Sequence, residues 1–127
     1  MKNAISWFEI PVADFERGKK FYETVLDAKM QDFDIGSPEH KMAFFPSEIE
    51  ADAVGGAIMS GPGYEPSEKG ALVYLNAGED LTDALSRVEK AGGKIYMPKT
   101  AIGEGEHGYM ALFQDSEGNR VAFHSNK

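Results

Sequence analysis

The fold is decided by the stretch ISWFEIPVAD at residues 5–14 and by the helix-forming segment that follows it at residues 15–27. Side chains in the first part alternate between two faces, as they do along a β-strand. Asp14 then stands where the capping side chain of a helix belongs. In the second part, apolar or small residues recur at three-and-four spacing, which is typical of one buried helix face: Phe15, Gly18, Phe21, Tyr22, Val25 and Leu26.

A second strand and helix repeat this pattern. Residues 71–76 read ALVYLN, and a predicted helix over residues 80–91 follows, with Asp80 at its expected cap. A small residue and a lysine then open another strand in both halves, as Ala28-Lys29 and as Gly93-Lys94. A chain of 127 residues with a repeat at about half its length is most simply two copies of one supersecondary unit.

The remaining segments complete each copy as βαβββ. Strands are predicted at residues 30–35, 42–45 and 53–60 in the first half, and at residues 94–97, 109–114 and 120–124 in the second. Loops are predicted at residues 47–52, which are acidic, and at residues 102–108. We therefore predict an α+β fold in a single domain over residues 1–127: module one at about 4–60, a turn-rich linker at 61–70, and module two at about 71–125. The free faces of the two sheets would form a curved cup in which a ligand can bind.

Composition narrows the function further. The net charge is −8, which disfavours nucleic-acid binding, and the absence of cysteine excludes disulfides and thiol chemistry. No apolar run reaches the roughly 18–20 residues that span a bilayer, so we expect no membrane partner. The N-terminal residues lead directly into a strand, without a secretory signal, and we expect a cytoplasmic protein.

The chain resembles the vicinal oxygen chelate superfamily, which has the glyoxalase/bleomycin resistance/extradiol dioxygenase fold. The resemblance covers roughly residues 4–125. It rests in the first half on the strand that ends at Asp14 and on Gly18, Phe21-Tyr22 and Val25-Leu26. In the second half it rests on Ala84, Val88, Ala91-Gly92-Gly93 and Pro98. It also rests on the turn FQDSEGN at residues 113–119, which is similar to the family's DPxGN turn with Ser116 in place of proline. The resemblance implies two βαβββ modules, and it leaves the chemistry open because this fold hosts several activities.

Enzymes of the family chelate a divalent metal through one side chain from each of four strands. The resemblance places these positions at Trp7, Gly56, Ala71 and Ala122, and none of these side chains donates an electron pair to a metal. We therefore expect no metal and no cofactor. A displaced set, two residues further along the strands, would be Glu9, Ile58, Val73 and His124, of which only Glu9 and His124 offer donors.

Glu9 and His124 are the candidate catalytic residues. A carboxylate and an imidazole in an apolar cup would suit general acid–base chemistry on a carbonyl or enol substrate. The structural alternative is that Glu9 hydrogen-bonds a neighbouring group and that His124 lies near the C-terminus without a role.

Trp7 has two alternatives as well. The small residues opposite the indole leave space, so Trp7 either fills that space as core or lines a cavity and stacks on a flat ligand. Under the second alternative, the residues around a ligand would be the metal-equivalent positions and their neighbours: Trp7, Gly56, Ile58, Ala71, Val73 and Ala122.

These observations support a metal-independent binder of a small organic molecule, similar to the bleomycin resistance proteins. The alternative is a lyase or isomerase similar to lactoylglutathione lyase, which uses displaced metal ligands or Glu9 as a general base. Whether the chain is an enzyme is open at this point. From the resemblance we also expect a homodimer.

Overall fold

The computed structural model describes residues 3–47 and 53–127. Residues 1–2, and residues 48–52 of the predicted acidic loop, lie outside this range. The first module consists of β1 (Trp7–Pro11), α1 (Phe15–Leu26), β2 (Gln31–Phe33), β3 (Lys41–Phe44) and β4 (Gly55–Ser60). The second consists of β5 (Val73–Asn76), α2 (Thr82–Ser86), β6 (Lys94–Ala101), β7 (Tyr109–Gln114) and β8 (Arg120–Ser125). The predicted α+β fold of two βαβββ modules is confirmed.

Each module forms a four-stranded mixed sheet. The strand order is β1-β4-β3-β2 in the first sheet and β5-β8-β7-β6 in the second. In both sheets the first and last strands of the module pair in parallel, and the other pairs are antiparallel. The two sheets therefore have the same topology, as the sequence repeat predicts.

Helix α1 forms as the sequence predicts. The Asp14 carboxylate accepts a hydrogen bond of 3.1 Å from the Arg17 N–H, which satisfies one of the free donors of the first turn. The helix ends at Asp27, a residue in the left-handed conformation with φ of 51°. The helix buries one stripe of side chains: Phe15, Phe21, Tyr22 and Val25, with Gly18 between them.

Helix α2 is shorter than predicted. It spans Thr82–Ser86 rather than residues 80–91, because the hydrogen bonds from Arg87 and Val88 reach back only three residues, to Ala84 and Leu85. Asp80 lies one residue before the observed N-cap. Its carboxylate nevertheless accepts hydrogen bonds from the N–H and the hydroxyl of Thr82, at 2.9 and 2.6 Å. The predicted cap position is therefore wrong by one residue.

Strand β6 is longer than predicted and passes through Pro98. The prediction ended this strand before Pro98, because proline lacks the N–H that a sheet requires. β6 is the edge strand of its sheet, and its pairing with β7 shifts register between Met97 and Thr100. Pro98 falls in this interruption, where it removes no paired hydrogen bond.

The core is shared by the two modules. The Phe21 ring in α1 lies 6.1 Å from that of Phe113 in β7, and the Tyr22 ring lies 5.1 Å from that of Phe45 beside β3. Helix α1 therefore contacts the inner faces of both sheets. The buried cluster includes Ile10, Ile58, Leu75, Val121 and Phe123 from four strands and Val88 from the segment after α2. On the opposite faces of the sheets, Trp7, Phe33 and Tyr74 are exposed, whereas Ala57, Met59 and Ala122 are buried.

The turn between β7 and β8 joins the modules through buried polar contacts. The buried Asp115 accepts hydrogen bonds from the Tyr22 hydroxyl at 2.6 Å and from the Asn119 side chain at 2.9 Å. Asn119 also donates to the carbonyl of Pro11 at 2.7 Å. The Glu117 carboxylate accepts from the N–H groups of Ala13 and Asp14. The turn that carries the family resemblance is thus a structural joint in this chain.

Candidate functional site

The open face of the first sheet carries Trp7 and Glu9. Parallel pairing places Trp7 beside Gly55 and Glu9 beside Ala57, so these residues share one face of the sheet. Gly56 and Ile58 belong to the opposite face, where Ile58 is fully buried in the core. The prediction that Gly56 and Ile58 share a face with Trp7 is therefore wrong by one residue, because alternate residues of a strand point to opposite faces.

Trp7 lies at the surface rather than in the core. The side chain is 41% exposed, and its ring meets that of Phe44 edge-on at 5.6 Å. Phe44 in turn stacks on Phe33, which is 50% exposed, at 5.0 Å. The indole packs closely over Gly55, because an added Cβ at this position would lie 3.2 Å from the indole Cζ3 atom. The three rings form an open aromatic surface, which we call the aromatic face: Trp7, Phe33 and Phe44.

Glu9 is fixed beside this aromatic face by two hydrogen bonds. The indole N–H of Trp7 donates to Glu9 Oε2 at 3.2 Å, and the Tyr64 hydroxyl donates to Glu9 Oε1 at 2.9 Å. The hydrogen bond to Glu9, together with partial burial, raises the pKa of Tyr64 above its usual value. The phenol therefore stays protonated at neutral pH and remains a donor to the carboxylate.

Tyr64 is itself supported by the loop before β3. The ring of His40 meets that of Tyr64 edge-on at 5.7 Å. His40 Nε2 lies 2.9 Å from the Pro62 carbonyl oxygen, and Nδ1 lies 2.8 Å from the Ser37 hydroxyl. A ring nitrogen facing a carbonyl must donate, so Nε2 carries the proton and Nδ1 accepts from Ser37 in the neutral ring. Two loops thus hold Tyr64 against Glu9.

His124 lies in the other sheet. Its Nε2 atom donates to the His107 carbonyl oxygen at 2.8 Å, which ties β8 to the loop over residues 102–108. In the described part of the chain, no contact joins His124 to Glu9, so the predicted titratable pair is not assembled by these contacts within one chain. Ala122 shares the face of His124, and both pair with β5 at Tyr74 and Asn76.

Val73 and Ala71 complete the predicted set. Val73 pairs with Val121 and packs against the core, so it lies on the opposite face from Ala122 and His124. The prediction that Val73 faces the same way as His124 is therefore wrong. Ala71 precedes β5 and is exposed.

Sequence comparison now assigns the family. The sequence model of the Glyoxalase/Bleomycin resistance protein/Dioxygenase superfamily matches residues 4–123. The chain belongs to this superfamily. A glyoxylase-like domain-containing protein from Didymella fabae is 34% identical over 121 residues, covering 93% of this chain and 90% of the relative.

Solved structures of the glyoxalase superfamily have the same fold. A variant of glyoxalase I from Zea mays has a TM-score of 0.71 and 24% identity over 94% of this chain, which spans only 46% of the maize chain. A glyoxalase/bleomycin resistance protein from Albidiferax ferrireducens has a TM-score of 0.68 and 18% identity, covering 95% of this chain and 97% of that one. The fosfomycin resistance protein FosX from Mesorhizobium loti has a TM-score of 0.60 and 20% identity, covering 98% and 92%.

The metal that the superfamily implies does not fit the residues of this glyoxalase-superfamily chain. An indole, a glycine and two alanines stand at the positions that the resemblance assigns to ligands. In the observed register Gly55, rather than Gly56, lies beside Trp7, and none of these side chains has a lone pair for a divalent ion. Within residues 3–47 and 53–127, no three His, Asp or Glu side chains cluster as a metal site would require.

No helix in this range is long and apolar enough to cross a membrane.

Three cavities lie around the predicted site residues. The largest, about 810 Å³, lies between the modules, and its lining includes Gly56, Ala71 and Val73. The second, about 240 Å³, includes Glu9, Glu65, Lys69 and Arg120 in its lining. The third, about 370 Å³, lies against the indole and is lined by Trp7, Lys29, Gln31, Phe44, Phe45, Pro46, Ser47, Gly55 and Gly56. Volumes of 300–1,000 Å³ are usual for small-molecule sites.

Tyr64, Phe44 and Phe33 are the site residues that sequence reasoning missed. Tyr64 lies in the segment GPGYEPSEKG, whose turn-forming residues predict only a linker. Phe44 and Phe33 lie on short strands whose alternation does not reveal which face is open. The sequence does contain one indication of a role for Tyr64. It is a large aromatic residue among turn-forming residues, where no predicted helix or strand would place it in the core.

Proposed function

We propose that the chain binds a small, flat organic molecule on the aromatic face, without a metal ion. The observation that supports this most directly is the exposure of Trp7, at 41%, beside a cavity of about 370 Å³. Clustered aromatic residues left open to water in a concave surface are typical of ligand sites. The donorless residues at the four metal positions support the metal-independent part of the proposal.

The site suits a flat ligand because it combines an open aromatic ring surface with polar groups beside it. The indole offers an open ring surface, Phe44 meets the indole edge-on, and Gly55 keeps the strand below free of a side chain. Glu9 and Tyr64 provide polar groups at the margin. A ligand that covers the indole would bury apolar area at about 25 cal/mol per Å² and gain stacking of about 0.5–1.5 kcal/mol.

We further propose that the chain forms a homodimer through its open sheet faces. Both faces carry large exposed apolar side chains: Trp7 and Phe33 on the first sheet, and Tyr74 and Tyr96 on the second module. Exposed apolar surface of this kind commonly marks an interface. A partner whose second module covers the aromatic face would enclose the ligand site and bring its own His124 toward Glu9.

The emission of Trp7 tests ligand binding directly, because Trp7 is the only tryptophan of the chain. Titration with a panel of flat bicyclic compounds should give saturable changes in emission for at least one of them. Phe44→Ala should weaken that binding by about 3–10-fold, which corresponds to an aromatic contact of about 0.5–1.5 kcal/mol. Ile35→Ala, an exposed apolar residue outside the cavity lining, is the matched control and should leave binding unchanged.

Two results would contradict the proposal. The first is a folded protein whose Trp7 emission does not respond to any compound of the panel. The second is a stoichiometric nickel, zinc, manganese or iron content in protein purified without chelators, measured by elemental analysis. A catalytic conversion of a bound carbonyl compound, lost in Glu9→Gln, would instead favour the lyase or isomerase alternative.

A further inference from the structure

We propose that the ligand of the aromatic face is a flat organic cation, and that Glu9 is the residue that selects its charge. This inference rests on the proposed binding function, and it adds the chemical class of the ligand. It is supported by the bonding of Glu9, by the effect of that bonding on the indole, and by the charge of the whole chain.

Glu9 is a carboxylate without a cationic partner among the described residues. The ion pairs formed within this range join Arg17 to Glu117, Lys19 to Asp32 and Lys99 to Asp80. Glu9 is held instead by two neutral donors, the Trp7 indole N–H and the Tyr64 hydroxyl. These hydrogen bonds fix the position of the carboxylate and leave its charge uncompensated. A fixed, unpaired charge beside an open ring surface favours a ligand of opposite charge.

The hydrogen bond to Glu9 also strengthens the attraction of the indole ring for a cation. Tryptophan has the ring that attracts cations most strongly, because its face carries negative potential. An indole N–H that donates to a carboxylate is polarised toward the ring, which makes that face more negative. The ring remains 41% exposed, so a flat cation can lie on it while the carboxylate is 3.2 Å from the indole nitrogen. Both attractions act on the same bound molecule.

Three basic side chains lie near Trp7 or Glu9 and would oppose the binding of a cation. Lys29 lines the cavity beside Trp7, and Lys69 and Arg120 line the cleft that Glu9 shares with Glu65. None of the three forms an ion pair within the described residues. The chain as a whole carries a net charge of −8, so its field draws cations rather than anions toward the surface.

Three probes of one shape and different charge test the inference at neutral pH. They are 1-methylquinolinium, quinoline and quinoline-2-carboxylate, with binding measured by calorimetry on the full chain. The cation should bind about 3–30-fold more tightly than quinoline, the range expected for a cation over an aromatic ring. The carboxylate should bind most weakly. The preference for the cation should fall as ionic strength rises.

Glu9→Gln is the decisive variant. The glutamine oxygen can still accept a hydrogen bond from Trp7 or Tyr64, while the charge is removed. The variant should bind 1-methylquinolinium no more tightly than quinoline, because the ratio of the two affinities reports the charge alone. Glu68→Gln is the matched control, because Glu68 also accepts a hydrogen bond from a tyrosine hydroxyl, that of Tyr96 at 3.1 Å, in the second module. It should keep the preference.

The outcomes separate this inference from the function on which it rests. Equal affinity for the three probes, or a preference that persists in Glu9→Gln, would overturn the inference and leave the binding function intact. Tightest binding of quinoline-2-carboxylate, lost in Lys29→Ala, would overturn it in favour of an anionic ligand. Absence of binding by all three probes to folded protein, with another compound of the panel still bound, would overturn the inference alone.

Discussion

Gly18 lies where helix α1 packs tightly against Val12, the residue that follows β1. A Cβ atom at this position would lie 2.7 Å from Val12 Cγ1 and 3.1 Å from Val12 Cβ. In an exposed helix, glycine to alanine stabilises by about 1 kcal/mol. Here overpacking against a rigid β-branched side chain opposes that gain and costs about 1–3 kcal/mol. We therefore expect Gly18→Ala to lower the free energy of unfolding by up to about 2 kcal/mol, measured by urea denaturation.

The double variant Gly18→Ala/Val12→Ala separates the two effects. Removal of the valine methyl groups makes room for the new Cβ, so the loss caused by Gly18→Ala should shrink in the Val12→Ala background. A double-mutant cycle measures this coupling. A Gly18→Ala protein more stable than the native chain would show that α1 can move away from β1 at no cost.

At the same scale, sequence alone predicted which residues lie on β1 but not which residues lie beside them. Trp7 and Glu9 were correctly given the same face. Their neighbours are Gly55 and Ala57, whereas the prediction gave Gly56 and Ile58. A one-residue error in aligning two strands moves every side chain to the other face. Alternation along a strand shows which of its own side chains share a face. Which residues of the neighbouring strand share that face depends on how the two strands pair.

Among the elements, the turn over residues 115–119 shows how the two modules are held together. The Glu117 side chain is fully covered and accepts hydrogen bonds from the main chain at Ala13 and Asp14 and from Arg17. Although burial alone would raise it, the pKa of Glu117 is lowered by these hydrogen bonds and by that of Ser116. The turn therefore binds the start of α1 through a charged group.

Glu117→Gln should weaken this connection in a pH-dependent way. Because the folded-state pKa lies below the ordinary value of 4.5, the stabilisation is present above that pH and is lost as pH falls through the folded-state value. We expect a loss of about 1–3 kcal/mol in the free energy of unfolding at neutral pH, as for hydrogen bonds to a buried charged group. The difference from the native chain should narrow below about pH 4.5.

Urea denaturation over a range of pH measures this difference. Glu104→Gln, in the exposed loop before β7, removes the same charge from the chain without a contact to α1, and it should leave stability nearly unchanged. An effect of Glu117→Gln that is equally large at low and neutral pH would contradict the role given to its charge.

The lengths of elements were harder to predict than their order. The apolar spacing over residues 81–88 predicts a helix, and Leu81, Ala84 and Val88 are indeed buried. The spacing could not show that hydrogen bonding tightens after Ser86, because side-chain periodicity is nearly the same in a succession of tight turns. Proline normally ends a central strand but is tolerated on an edge strand. Pro98 lies in β6, and the edge position of β6 follows from the order of strands in the sheet, which local sequence does not show.

For the molecule as a whole, the sequence predicted two modules and left their mutual arrangement open. The repeat and the linker gave the βαβββ units, yet contacts of Phe21 with Phe113 and of Tyr22 with Asp115 are not signalled by any local pattern. These contacts direct the inner faces of both sheets toward α1. Trp7 and His124 consequently lie on open faces of different sheets, where a second copy of the chain can reach them.

The proposed dimer follows from these open faces and can be tested with Phe33. Phe33 is 50% exposed on β2 at the margin of the aromatic face, and it stacks on Phe44. A chain of 13.9 kDa should sediment at twice that mass if the faces pair. Phe33→Glu would place a charge in an apolar interface and should weaken dimerisation at least about tenfold, or about 1.4 kcal/mol, in analytical ultracentrifugation.

Lys90→Glu is the control, because it changes charge at an exposed position after α2, away from both open sheet faces, and should leave the mass unchanged. If the second module of a partner covers Trp7, dissociation of the dimer should also shift the emission of this single tryptophan to longer wavelength as the indole meets water. A Phe33→Glu protein that stays dimeric with unchanged emission would place the interface elsewhere. The aromatic face would then be a ligand site formed by one chain alone, open on the side that a partner was expected to cover.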